Sequence, residues 1–272
     1  MNRFKTVFQG FVIGAGMSVP GLSGGTLAIL LGIYNKLIYS VANILSDIKD
    51  TLSFLSLFAF GGALGFLASA KLVTLILSTA AEVPLRYAFL GAAAAAMVPV
   101  LKKSNAIPLK LTKLLLMVAG IITAALITMI PQVSLGADTA NSILIQLASG
   151  VILAVALVLP GISGSQMLMT LGLYEQVMMA ISELDILKLL PLAVGCAAGT
   201  LLTAKLLARM LDNTEATYLV IIGFMFFSLK ELIPSSSNYT ELLIGVLCAI
   251  IGFTLTSLCL SKEIHKTEST ML

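Results

Sequence analysis

Apolar residues run through this chain in long unbroken stretches rather than in strict alternation. Stretches at about 52–79, 84–101, 112–131, 189–210, 217–233 and 241–260 approach or exceed bilayer length, for which a helix needs roughly 20 apolar residues. Two other stretches, 6–46 and 143–183, are interrupted in the middle by a Pro-Gly-x-Ser-Gly break. The first arm of the 6–46 stretch holds only about 14 apolar residues, short of a full crossing. Both stretches are therefore read as re-entrant hairpins of two half-helices. A membrane β-barrel would instead show alternating segments of about 10 residues, and the chain has none.

The same pattern occurs twice. "SVPGLSGGTLAILLGIYNKLI" (18–38) aligns with "VLPGISGSQMLMTLGLYEQVM" (158–178), with Pro20/Pro160, Gly21/Gly161, Ser23/Ser163, Gly24/Gly164, Gly32/Gly172 and Tyr34/Tyr174 all 140 positions apart. "GGALGFLASAKLV" (61–73) then aligns with "GCAAGTLLTAKLL" (195–207) at an offset of 134, pairing Gly65 with Gly199 and Lys71 with Lys205. Two blocks in the same order predict a duplicated architecture. Residues 1–135 form repeat unit one and 136–272 repeat unit two of a single integral membrane domain. Each unit is a hairpin followed by three transmembrane helices. An odd number of full spans per unit requires the second to insert upside down. The fold class is thus an all-α polytopic membrane protein with an inverted-topology repeat, a layout typical of secondary transporters.

Composition agrees with the membrane reading. Of 272 residues, 58% are apolar and 11% charged, against roughly 45–50% and about 25% in soluble domains. The net charge of +3 reflects where the basic residues fall and does not point to nucleic acid. Traced from an inside N-terminus, one side of the membrane receives Arg3, Lys5, Lys36, Lys49, Lys102, Lys103, Lys110, Lys113, Arg209, Lys262 and Lys266. The other receives only Arg86, Lys188 and Lys230. The positive-inside rule then puts both termini in the cytoplasm, whether or not the hairpins fully span. Three cysteines sit in apolar runs without paired spacing, which suits packing better than a disulfide or metal site.

The candidate chemistry lies in the two breaks. Proline ends the first arm because it cannot donate to the helix ladder, and glycine permits the reversal. Ser23, Gly24, Gly25 and Thr26, and their counterparts Ser163, Gly164, Ser165 and Gln166, then start the second arm. Helix starts present unpaired N–H groups and a positive dipole end, both suited to an anion such as phosphate. The alternative is that small residues here only allow close helix packing. Lys71 and Lys205 lie inside spans, where lysine is costly. They either neutralise an anionic group or snorkel to an interface. Arg86 either catches an anion at the outer side or pairs with nearby Glu82, the pairing being the simpler reading. Glu175 either carries a coupling proton or is solvated at the outer surface. Tyr34 and Tyr174 suit interface anchoring.

"GLSGG" at 21–25 also spells the G-x-S-x-G elbow of serine hydrolases. A serine nucleophile needs a nearby base, yet the single histidine, His265, lies in the polar tail. The second copy reads "GISGS" and loses the final glycine while keeping the helix break. The expectation is therefore no catalytic residue, no metal and no cofactor.

"VPGLSGGTLAILLGIY" and "LPGISGSQMLMTLGLYE" resemble the signature of a bacterial and archaeal membrane family, formerly a domain of unknown function, associated with undecaprenyl-phosphate (polyprenyl-phosphate) translocation. The resemblance covers nearly the whole chain and departs from the pattern at Ser165 and Gln166. It implies a flippase that returns the carrier lipid to the cytoplasmic leaflet of the cytoplasmic (inner) membrane, for cell-wall or surface-glycan synthesis. The phosphate headgroup would lie at the two turns and the prenyl tail in a lateral groove. The expected partners are this lipid and the surrounding membrane lipids, with oligomeric state left open, a homodimer included. A secondary transporter of a small soluble anion is the alternative, and an intramembrane hydrolase a third.

Overall fold

The structure is a computed structural model that describes residues 3–18, 23–44, 46, 48–77, 82–128, 142–183, 185–212, 214–234 and 238–268. Side chains of 70, 71, 73–77, 182, 186, 212, 214, 259 and 261–268 lie outside the description, Lys71 and His265 among them. Every regular element among the described residues is helical. The first half contains α1 (Arg3–Met17), α2 (Gly24–Leu30), α3 (Tyr34–Ala42), α4 (Ile48–Leu77), α5 (Glu82–Lys103) and α6 (Leu111–Thr128). The second contains α7 (Ile143–Val158), α8 (Gly164–Thr170), α9 (Tyr174–Ser182), α10 (Ile186–Asp212), α11 (Thr214–Leu232) and α12 (Tyr239–Glu268). In both halves a helix of moderate length leads to a 7-residue and then a 9-residue helix before the long ones begin. Among the described residues α4, α5, α6, α10 and α12 are long and apolar enough to cross a membrane. The chain is an all-α multi-pass membrane protein.

The hairpins differ in one respect from two half-helices. The returning arm is not one helix but two, α2 and α3, bent 118° apart. The break falls at Gly32, whose φ of +67° is repeated at Gly172 with +68°. A left-handed backbone ends the helix there, and glycine adopts it without steric cost. Within an apolar run such a glycine reads as a packing residue, so the pattern conceals the bend. At seven residues α2 is about 10 Å long, a third of the roughly 30 Å apolar thickness.

Glycines set the long-helix contacts. A β-carbon built at Gly14 of α1 would stand 1.9 Å from the Gly62 carbonyl oxygen of α4, and one at Gly195 of α10 would stand 2.1 Å from that of Leu147 in α7. No side chain fits at such distances, so α1 lies backbone to backbone on α4, and α7 on α10, as small residues permit in membranes. The other principal pairings cross between the halves. α5 packs on α12, and α11 on α6 and α5. Gly91 seats against Ala249 and Gly223 against Met117. The halves are thus interlocked. α11 carries Glu215, Lys230 and Glu231 near its ends, while its middle, including Leu219, Ile221, Ile222 and Met225, is buried at the centre of the bundle.

α3 and α9 sit at opposite ends of α10. Ile33, Tyr34, Ile38 and Ala42 join Ala204, Leu207, Ala208 and Leu211 of its C-terminal half in one buried cluster. α9 instead borders the first turns of α10, where Gln176, Val177 and Ala180 line a small cavity with Gln146, Lys188 and Leu192. The α3 end also holds the Lys113–Glu215 ion pair at 2.9 Å, between α6 and α11.

Candidate functional site

The two helix breaks touch. Ser23 begins α2 in extended backbone, and its Oγ accepts from the Thr26 N–H at 3.4 Å. The same oxygen accepts from the Gly161 N–H of the second break at 3.1 Å. Gly161 has φ +90°, which turns that N–H out of the helix path toward Ser23. A β-carbon on Gly25 would lie 2.8 Å from Pro160 Cα, so only glycine lets the turns close on each other. Tyr34, at the start of α3, donates from its hydroxyl to the Val158 carbonyl at 3.1 Å. That carbonyl is in the last turn of α7, where Pro160 prevents the ladder from continuing. Tyr34 is accordingly buried and does not anchor at a membrane interface. The correction follows from an otherwise orphaned carbonyl inside the protein, which the phenol satisfies.

The paired residues are unequal. Ser23, Gly25 and Thr26 are buried, and Thr26 Oγ1 has no hydrogen-bond partner. Ser163 is also buried but makes no capping bond, its Oγ lying 2.9 Å from that of Ser165. Ser165 and Gln166 are exposed, while Gly24 and Gly164 are half-buried. The outward part of the paired turns is therefore the second one.

The charged candidates take no part in the Ser23–Gly161 bond itself. Arg86 is held by Glu82 at 2.9 Å and donates to the Glu231 carbonyl at 3.5 Å, so the pairing with Glu82 is present. Lys205 is exposed, turned away from the α10 face that packs on α3. The side chain of Lys71 lies outside the described residues. The small-residue faces near these lysines are helix seams, with Ser69 donating to Ala15 of α1 at 3.2 Å and Gly199 pressed on Val151 of α7. Among the described residues no cluster of His, Cys, Asp or Glu is arranged to hold a metal.

Tyr218 and Asn35 were not legible as site residues. The Tyr218 hydroxyl donates to Asn35 Oδ1 at 2.9 Å, tying α11 to α3, and Lys103 stands over the Tyr218 ring at 5.7 Å. Only the cross-half packing brings them together, and no local motif marks it.

The model of the VCA0040-like family, described as undecaprenyl phosphate translocase-like, matches residues 13–245, which include both breaks. The chain belongs to this family. It is 33% identical over 286 aligned positions to the polyprenyl-phosphate transporter of Staphylococcus aureus, covering 98% of this chain and all of the relative. It is 31% identical to the polyprenyl-phosphate transporter of Vibrio cholerae, covering 86% of this chain and 79% of the relative. No solved structure gives a significant match. Both relatives carry transporter names, in agreement with a family member that moves its ligand across the membrane and does not convert it.

Proposed function

We propose that this protein is a translocase of polyprenyl phosphate, undecaprenyl phosphate being the family's namesake lipid, that returns the carrier to the cytoplasmic leaflet for envelope glycan synthesis. The observation that carries the site assignment is the direct meeting of the two helix breaks, Gly161 N–H on Ser23 Oγ at 3.1 Å. Irregular backbone at membrane depth persists only where protein or a water-filled cavity satisfies it. Here the Ser23 oxygen of the first break satisfies a backbone N–H of the second. The unpartnered Thr26 hydroxyl and the exposed Ser165 and Gln166 remain to donate to a phosphate. Ser23, Gly24, Gly25, Thr26, Ser163, Gly164, Ser165 and Gln166 form the headgroup region in this reading, with Lys71, Lys205 and Arg86 supplying positive charge. The repeats are inverted, both termini are cytoplasmic, and the protein resides in the cytoplasmic membrane.

The test is translocation of a labelled short-chain polyprenyl phosphate in reconstituted vesicles. Acceleration over protein-free vesicles is expected, and none would refute the proposal. Inorganic phosphate uptake in the same vesicles distinguishes a soluble-anion carrier. Lys205→Gln is expected to weaken headgroup binding about fivefold at low ionic strength, an effect that salt diminishes. Arg86→Gln should change it less, because Glu82 already neutralises that guanidinium. Lipid concentration dependence of the transport rate reads both.

A further inference from the structure

The two hairpins have matching sequences but unmatched surroundings. On α2, Thr26 is 3% and Ile29 9% exposed. At the corresponding positions of α8, Gln166 is exposed and Met169 is 41% exposed. On α3, Ile38 is 5% exposed, whereas its counterpart on α9, Met178, is 37% exposed. The same faces of equivalent helices are thus covered in the first hairpin and open in the second.

The contacts of α3 accompany the difference. α3 reaches across to the other half and packs on α10. Asn35 accepts from Tyr218 of α11, and Tyr34 donates to Val158 of α7. By the repeat, the α4 counterpart of this α10 surface lies at 70, 73, 74 and 77, whose side chains are outside the description, while among the described residues α9 packs on α8 and α10. The closed end is the one bearing Lys102, Lys103 and the Lys113–Glu215 pair. Two copies of one unit in two environments are what a carrier needs if its repeats exchange conformations to change the open side.

We propose that this conformation is closed at the lysine-rich end by an α3 latch of Tyr34, Asn35 and Tyr218, that it admits the ligand from the opposite side past Gln166 and Met169, and that the reverse state forms when the second hairpin closes as α3 opens. The inference rests on the carrier reading above, since an enzyme or scaffold would have no need of the second state. Each latch hydrogen bond removed shifts the balance between states by about fivefold.

Single cysteines report the states without using the lipid. In a background with Cys196, Cys248 and Cys259 replaced by serine, Gln166→Cys and Thr26→Cys are reacted with a membrane-impermeant thiosulfonate. The reagent is applied to one face at a time of vesicles of known orientation. Gln166→Cys is expected to react at least tenfold faster than Thr26→Cys, and only from the side opposite the lysine-rich end. Adding Tyr218→Phe should slow Gln166→Cys and speed Thr26→Cys, each about fivefold. Asn35→Ala, which removes the same bond from the other partner, should give the same shift, and the double variant no more than either. Mere loosening of the fold would raise both rates together, and that result overturns the proposal, as does an unreactive Gln166→Cys or an absence of change. Reciprocal labelling without polyprenyl-phosphate transport would keep the latch and refute the substrate. Transport without reciprocal labelling would do the reverse.

Discussion

Gly25→Ser is expected to destabilise the protein by about 1–3 kcal/mol or more and to abolish most transport, whereas the mirror change, Ser165→Gly, leaves the fold nearly intact and weakens transport only by what one hydroxyl gives the headgroup, about fivefold. The positions are equivalent by repeat, and each substitution only copies the residue that the other half already has. Their surroundings decide the outcome. A β-carbon at Gly25 meets Pro160 backbone atoms at 2.8 and 2.9 Å. Backbone cannot rotate away as a side chain can, so the second break must move, with the strain typical of overpacked interiors. Ser165 is exposed, and its hydroxyl lies 2.9 Å from that of Ser163. Losing it costs a weak bond and some helix propensity, less than about 1 kcal/mol. Thermal unfolding in detergent, read beside vesicle transport, separates the two. Equal effects would mean that the turns are not in contact at Gly25.

Ser23→Ala is expected to cost about 2–4 kcal/mol, and Ser163→Ala less than about 1. The Ser23 oxygen serves two backbone donors, Thr26 N–H and Gly161 N–H. Alanine removes a helix cap, ordinarily worth about 1 kcal/mol. It also strands a buried N–H, at a cost of about 1–3 kcal/mol. Ser163 caps nothing, so its replacement tests the ligand role with little effect on folding. A folded Ser163→Ala protein with reduced headgroup affinity supports the proposed site. Full transport by both Ser163→Ala and Gln166→Ala would remove the second turn from it. A Ser23→Ala protein that melts like the parent would show that the two breaks do not depend on this bond.

The breaks were legible because proline and glycine act locally. A proline joined to glycine interrupts the apolar pattern at both places, where proline alone does not, since Pro99 and Pro191 lie inside α5 and α10, and a serine followed by glycine starts the next helix. The small residues Gly65 and Gly199 were visible too, but what lies on them was not. They serve the α1–α4 and α7–α10 seams, and the polar residues near them follow from that packing. Tyr34 and Tyr174 are an identity in the alignment, and tyrosine ordinarily suits a membrane interface. Nothing local distinguishes that from a phenol buried on the Val158 carbonyl, because its partner is 124 positions away. The bend at Gly32 was hidden for a related reason, since a single glycine in an apolar run leaves the hydrophobic pattern unbroken.

The amino-acid sequence by itself determined the membrane class, the long helices and the two breaks, since each depends on residues close together along the chain, and it carries two blocks that recur at offsets of 140 and 134. Tertiary structure decided which copies pair, and α5 took α12 while α11 took α6. It decided that the breaks bond to each other and that the first hairpin is covered while the second is open. A sequence repeat is symmetric under exchange of its copies, so it cannot distinguish pairing within a half from pairing across halves. Nor can it say which of two equivalent hairpins is closed. Those choices come from steric fit at a few glycine contacts and from a handful of long-range hydrogen bonds, which exist only once the chain has folded.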